Sequence, residues 1–379
     1  MIRSSHRLSL IVNGKKKKME GAWANLPEDL LVTVFARMAF IDQIRSRAVC
    51  KNWKHLTKDI RPSDKLPMVM ILNWHESQGR VKSVCELYVP THVRELTIEK
   101  EYQRKEHRKY VGAEVCESKY GWVLFRKSLR ETAFFFAYSP FFNEIVELPN
   151  NLERYFLQGK VTFSSTPTSP DCVFFAAKHP HISICRRGDQ AWTKINASSI
   201  NRFYEIRDVA YLNGEFYCLL DGGSLISWNV ARQRWRRYDA YQAPYYYHGK
   251  DCLIESDGQL LRLKYVTNND RYWCQLSRFD FYQENWVVEA SLGDRAVFVN
   301  SSSFCFLIPA VGEASELAET FHFYGHTSYK VKDCFIFYYG YRSYSFITGE
   351  VLKRCEPYSS LLRGKSRGIW IQPPQFSNN

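Results

Sequence analysis

From about Leu66 to the C-terminus, the chain is a succession of short runs of Val, Ile, Phe, Tyr and Trp cut apart by Gly, Asn, Asp, Ser and Pro. Val81 to Val89, Gly121 to Arg126, Thr132 to Tyr138, Cys172 to Ala177 and Ile182 to Arg186 are examples. Many short strands with turn signals between them point to an all-β sandwich, barrel or propeller. The region holds roughly 310 residues, generous for a single sandwich. A propeller takes that length naturally, as about six or seven blades of around 40 to 50 residues.

A faint repeat favours the propeller. Asp208 to Tyr217 reads as a strand, an Asn213-Gly214 turn and a second strand. Both positions of such a two-residue hairpin need positive φ, which Asn and Gly tolerate. Gly222-Gly223, a strand from Ser224 to Val230 and a polar turn then lead to Arg234-Trp235. A related unit runs from Cys252 through Asp257-Gly258 to Trp286, and Asp189 to Trp192 ends an earlier one. Trp192, Trp235 and Trp286 stand 43 and 51 residues apart, a blade-like period. These features resemble degenerate kelch repeats, although most of the expected blades lack the glycine pair.

The N-terminal part has a different rhythm. Leu26-Pro27-Glu28-Asp29 supplies a turn, a proline at a helix start, and two acids where the helix dipole favours negative charge. Leu30, Leu31, Val34, Phe35 and Met38 recur at helical spacing. After a break around Phe40-Ile41-Asp42, the residues Ile44, Ala48, Val49 and Trp53 trace a second helical stripe. A hook of this size has more apolar side chains than it can bury alone. Its order of Leu-Pro, Asp-Leu-Leu, Val-Cys-Lys and Trp resembles the F-box, the docking module of cullin-based ubiquitin ligases. Further phrases are Gly121-Trp122, Ser139-Pro140-Phe141 with Glu144 to Pro149, Leu253 to Gly258, and Leu292 to Phe298. Together they resemble plant F-box proteins with a kelch-related, propeller-like domain of the KIB type, over most of residues 70 to 350.

The expected fold is therefore an α+β multidomain chain. A flexible basic leader covers 1–22, a small helical F-box 23–64, and a mainly-β, kelch-like propeller 65–379. The resemblance implies a substrate-recognition subunit of an SCF-type ubiquitin ligase. An apolar helical surface would bind an SKP-family adaptor and, through it, cullin and RING subunits, while the propeller holds a target protein. Leu26, Pro27, Leu30, Leu31, Phe35, Ile44, Val49, Cys50 and Trp53 are expected to form or directly support that surface. Some of them must instead hold the helices together, and Lys51, Lys54 and Lys58 belong on the wet face. Burying a large apolar side chain contributes roughly 1.5–3 kcal/mol, so a few anchors outweigh the cost of association. Catalysis would be proximity, with a target lysine held near a thioester made elsewhere. The chain itself is expected to be no enzyme and to need no cofactor or metal.

Composition sets the competing readings. A formal net charge of +13 suits anionic partners, so the alternative is a basic propeller that binds nucleic acid or another polyanion without ligase assembly. The positive residues are scattered, however, which disfavours nucleic acid. Eleven cysteines include no C-x-x-C, and the closest pair, Cys172 and Cys185, is thirteen residues apart. Buried reduced thiols in a cytoplasmic or nuclear protein explain them best. No apolar run approaches the 18 to 20 residues of a membrane span. Lys15 to Lys18 read as solvated charge, and Met19 offers a second start that would make residues 1–18 dispensable.

Other clusters receive plainer readings. A phosphate loop and G-x-G-x-x-G are both missing. His322 and His326 share a strand face without a clear third ligand, and His179-Pro180-His181 is a turn. Arg232, Arg234, Arg236 and Arg237 around Trp235 read as an outer strand kept unpaired by positive charge. Tyr241, Tyr245, Tyr246 and Tyr247 form a candidate target-binding loop, because tyrosine offers broad contact area with a polar tip. Glu99 to Tyr110 mixes both charges densely and reads as a solvated connection.

Overall fold

The computed structural model describes residues 26–38, 40–47, 49–57, 66–77, 80–89, 94–103, 107–197, 205–240, 250–268, 271–300, 304–331, 334–346, 351–355 and 368–374. Helices α1 (Glu28–Ala36), α2 (Phe40–Ser46) and α3 (Lys51–Leu56) come first, and six β-sheets follow. Each sheet is one blade of a propeller. Blades 2 to 5 are built on four-stranded meanders in chain order: Glu114–Lys119 to Glu144–Glu147, Lys160–Phe163 to Thr193–Ile195, Ile206–Leu212 to Arg234–Tyr238, and Lys250–Ser256 to Asn285–Glu289; in blade 2 the short strand Leu152–Glu153 also pairs with Thr132–Ser139. In each, the first strand lies nearest the axis.

The two flanking blades break this rule. Blade 1 takes Met68–Ser77, Arg80–Val89 and Arg94–Gln103 from the start of the region, but its innermost strand is Gly368–Ile371 from the chain's end. That strand pairs antiparallel with Met68–Ser77 and closes the ring. Blade 6 has five strands. Its innermost is Cys305–Pro309, and Arg295–Asn300 beside it pairs parallel with Thr320–Val331 across the 3-10 turn Gly312–Leu317.

The apolar runs form strands that are buried on both faces, because each blade is sandwiched between two others. Thr132–Ser139 of blade 2 shows how a period of two divides such a strand. Phe134, Phe136 and Tyr138 face one way and pack with Met68, Met70 and Trp74 of blade 1. Ala133, Phe135 and Ala137 face the other way and pack with Phe163 and Phe174 of blade 3. The six cores between blades are built in this manner.

Turns recur at equivalent places. Tyr120-Gly121, Asn213-Gly214 and Asp257-Gly258 all have positive φ and join the first two strands of blades 2, 4 and 5, as the hairpin reading requires. The turns before the outermost strands of the same blades end on Asn143, Gln233 and Glu284, again at positive φ. Each of these begins with a side chain that accepts a backbone N–H: Ser139 from Phe142 at 3.4 Å, Asn229 from Arg232 at 2.8 Å, and Asp280 from Tyr282 at 2.8 Å. Neighbouring strands are antiparallel, so both sets of turns stand at one end of the ring.

The periodic tryptophans join consecutive blades. Trp192, Trp235 and Trp286 lie in or beside the outermost strands of blades 3, 4 and 5. Their indole N–H groups donate to Pro149 O at 3.0 Å, Asn196 O at 3.0 Å and Gly223 O at 2.7 Å, each in the preceding blade or the linker leaving it.

Two readings need correction. The second helical stripe is two helices, because the Cys50 side chain accepts the Trp53 N–H at 3.4 Å and caps a new helix there. The segment from Glu99 is no solvated connection. Arg94–Gln103 is the outermost strand of blade 1, and a rim strand is where a sheet tolerates dense charge. Tyr110 is buried, its ring centroid 4.9 Å from that of Trp74 and 4.6 Å from that of Phe136. The arginine-rich Arg234–Tyr238 is an outermost strand, as its charge implied, with Arg236 paired to Glu284 at 2.6 Å and Arg237 to Asp239 at 2.6 Å.

Candidate functional site

Two places on this frame can carry function: the helical hook and the propeller axis. In the hook, Leu31 and Phe35 on α1 are 2% and 0% exposed and form a miniature core with Leu26, Met38, Trp53 and Leu56. The Phe35 and Trp53 rings meet edge to face at 5.0 Å. On the neighbouring face of α1, Leu30 is 50% exposed and Val34 37%, with Val32 also outside. Val49, at 47%, adds to the outer surface from the link before α3, and Pro27 and Cys50 are exposed. Four of the eight large exposed apolar side chains of the described residues thus sit on the hook. Such a concentration marks a docking surface.

Helix α2 ties this surface to the propeller. Ile41 is buried in the same core as Leu66, Met68, Trp74 and Phe141, and Ile44 packs against it. Arg47 donates from one nitrogen to Phe141 O at 3.0 Å and from the other to Thr57 O at 3.0 Å, bridging blade 2 and the end of α3. Gln43 donates to Phe35 O at 2.8 Å and so fixes α2 to α1.

The expected surface residues therefore divide by position. Leu30, Pro27, Val49 and Cys50 face outward; Leu31 and Phe35 are core; Leu26 and Trp53 are partly buried against that core; Ile44 packs on the propeller. Val32 and Val34 are exposed apolar positions outside the expected set. The signal for Val34 was its place four residues after Leu30, one turn along the same face of the helix. Lys51 and Lys54 are exposed, and Lys58 lies outside the described residues. So do Tyr241, Tyr245, Tyr246 and Tyr247, and the leader over 1–22.

The axis holds a cavity of about 150 Å³ to which all six blades contribute, including Glu117, Lys119, Thr162, Tyr211, Glu255 and Gln372. A bulge at Cys116, between Val115 and Glu117, shifts the register of this innermost strand of blade 2; bulges of this kind re-aim side chains. Burial pushes the Glu117 carboxyl up to about 7, against the pull of Lys119, and burial lowers the Lys119 ammonium. Beside them Lys160 and Asp208 form an ion pair at 3.4 Å, and Asp208 also accepts the Leu253 N–H at 2.8 Å. Sequence reasoning passed over this group. Its signal was two opposite charges, Glu117 and Lys119, inside a strand and directly before a Tyr-Gly turn.

His322 is a core histidine: it is buried, stacked on Phe298 at 4.4 Å, with Nε2 2.6 Å from Thr320 Oγ1. The side chain of His326 lies outside the described residues. Among the described residues no group of three His, Cys, Asp or Glu side chains could hold a metal ion, and no helix is long and apolar enough to cross a membrane.

A helical hook with an exposed apolar face, fixed to a six-bladed propeller, defines an F-box protein with a propeller domain. Residues 23–65 match the F-box domain, and residues 90–312 match the KIB1-4 beta-propeller. The chain belongs to the KIB1-4 beta-propeller family. The propeller match stops where blade 6 departs from the meander pattern. An F-box/kelch-repeat protein of Arabidopsis thaliana is 26% identical over 363 residues, covering 93% of this chain and 95% of its own. An F-box protein of the same plant is 28% identical over 292 residues, covering 70% of each.

Proposed function

We propose that the chain is the substrate receptor of an SCF-type ubiquitin ligase, working in the cytoplasm or nucleus. The observation that carries this reading is the exposed apolar face of Leu30, Val34 and Val49 on an F-box anchored to a propeller. That face binds an SKP-family adaptor, which brings cullin and RING subunits. The propeller holds the target protein, and ubiquitin transfer occurs on the charged conjugating enzyme, so the chain contributes position and not bond chemistry. Arg47 and Ile41 make the geometry stiff: a target bound to the blades is held at a fixed angle to the adaptor.

Co-expression with a plant SKP-family adaptor tests this by size-exclusion chromatography. The wild type is expected to elute as a one-to-one complex, and a Leu30→Asp/Val34→Asp double variant as a folded monomer. These two positions are better probes than Trp53, whose ring also supports Phe35. A folded wild-type chain that forms no complex would overturn the reading. Salt-sensitive nucleic-acid binding by that uncomplexed chain would support the polyanion alternative.

A further inference from the structure

The innermost strand of each blade has a partner on one side only, so its other row of N–H and C=O groups is left for the axis. The axial cavity is polar before any side chain is counted. Side chains then add charge that the fold leaves incomplete. Lys119 Nζ lies 5.0 Å from the Phe163 ring centroid and 5.3 Å from that of Tyr120, and has no ion-pair partner among the described residues. Two positions earlier, Glu117 accepts the Ser118 N–H at 2.9 Å and has no cation in ion-pair range among the described residues. Glu255 lines the same space. The adjacent Lys160 and Asp208 are paired with each other at 3.4 Å.

A second observation is independent of charge. Ser118 Oγ and Thr162 Oγ1, both only 2% exposed as residues, line this cavity and have no hydrogen-bond partner among the described residues. Buried polar groups in native proteins are nearly always paired. Unpaired groups that converge on one cavity mark the seat of a polar guest.

Charge selects the guest. A simple anion drawn to Lys119 meets Glu117 and Glu255. A simple cation drawn to Glu117 meets Lys119. A molecule carrying both charges a few ångströms apart satisfies the two sides together. The volume of about 150 Å³ suits a guest the size of a small α-amino acid.

We propose that the axial cavity binds a small zwitterion, with Lys119 receiving its carboxylate, Glu117 and Glu255 its ammonium group, and the Ser118 and Thr162 hydroxyls its remaining hydrogen bonds. Glu117–Lys119 leads directly into the Tyr120-Gly121 turn, so the site lies toward the end of the ring on which α2 is docked through Phe141.

Isothermal titration of the full chain with glycine, alanine, serine and glutamate tests this, with acetate and ethylammonium as partners that carry one charge each. At least one amino acid is expected to bind saturably, and neither single-charge compound. Lys119→Met and Glu117→Gln are each expected to weaken binding by about tenfold or more. Failure of all four amino acids to bind would overturn the proposal, as would binding that survives both substitutions. Equal binding of acetate or ethylammonium would also overturn it, by reducing the site to a simple ion site. That comparison uses only wild-type protein, so it decides the matter even where a substitution prevents folding.

Discussion

Gly121 and Gly368 sit where a single added carbon meets the ring closure. At Gly121 the backbone is left-handed, φ 76°, and a Cβ would stand 2.8 Å from the Pro374 ring. A left-handed non-glycine residue costs roughly 1–2 kcal/mol. At Gly368 a Cβ would stand 2.5 Å from the Tyr324 ring, and overpacking of this kind costs about 1–3 kcal/mol. Gly121→Ala and Gly368→Ala are therefore each expected to lower the denaturation midpoint, readable by urea unfolding; an unchanged midpoint would show that the closure is looser than these contacts. Glu117 makes a pH prediction. Its folded value of about 7 is above the ordinary 4.5, so the folded state binds the extra proton. The stability this gives is fully present below about pH 4.5 and is lost as pH rises through 7. Allowing for its partial solvent contact, the change is about 1–3 kcal/mol. Glu117→Gln should match wild type at about pH 5 and exceed it at about pH 8 in denaturation experiments; parallel pH profiles for the two proteins would refute this.

At the scale of the element, the hook separates two roles that its sequence mixes. Leu30→Asp is expected to leave the circular dichroism spectrum intact, because that side chain is half exposed, while abolishing adaptor binding. Phe35→Ala removes the centre of the miniature core and should cost about 3–5 kcal/mol, seen as loss of the hook's protection from proteolysis. The helical spacing of Leu30, Leu31, Val34 and Phe35 was plain in the sequence. Which of the two adjacent stripes faces in was not, since both are apolar and only the positions of α3 and α2 decide it. The same limit explains the mistaken second stripe. Spacing registers Ile44, Val49 and Trp53 as one periodicity, whereas a thiol at Cys50 accepting a backbone N–H restarts the helix. The tryptophan period was legible because each indole performs the same task, donating to the blade before it. Trp286→Phe keeps an aromatic ring and removes the bond to Gly223 O, so a loss of about 1 kcal/mol is expected from thermal unfolding.

For the whole molecule, closure is the decisive feature. Trp370 is buried between blades 1 and 6, Ile369 and Ile371 between blades 1 and 2, and Asn300 accepts the Trp370 N–H at 2.6 Å. A chain ending at residue 367 loses the innermost strand of blade 1 and exposes both neighbouring cores. It is expected to lose cooperative unfolding and to aggregate, measurable by calorimetry and light scattering; a soluble, cooperatively folding truncation would mean the ring does not depend on that strand. The sequence by itself determined the two-part plan, the all-β character and the blade rhythm, because apolar alternation, Asn-Gly and Asp-Gly turns and the late tryptophans are local patterns. The number of blades, the borrowing of Gly368–Ile371 by blade 1, the parallel pairing within blade 6 and the charged axis were decided only in three dimensions. Each joins residues far apart in the chain, and their pairing follows from closing a ring around one axis, a constraint that no local window of sequence contains.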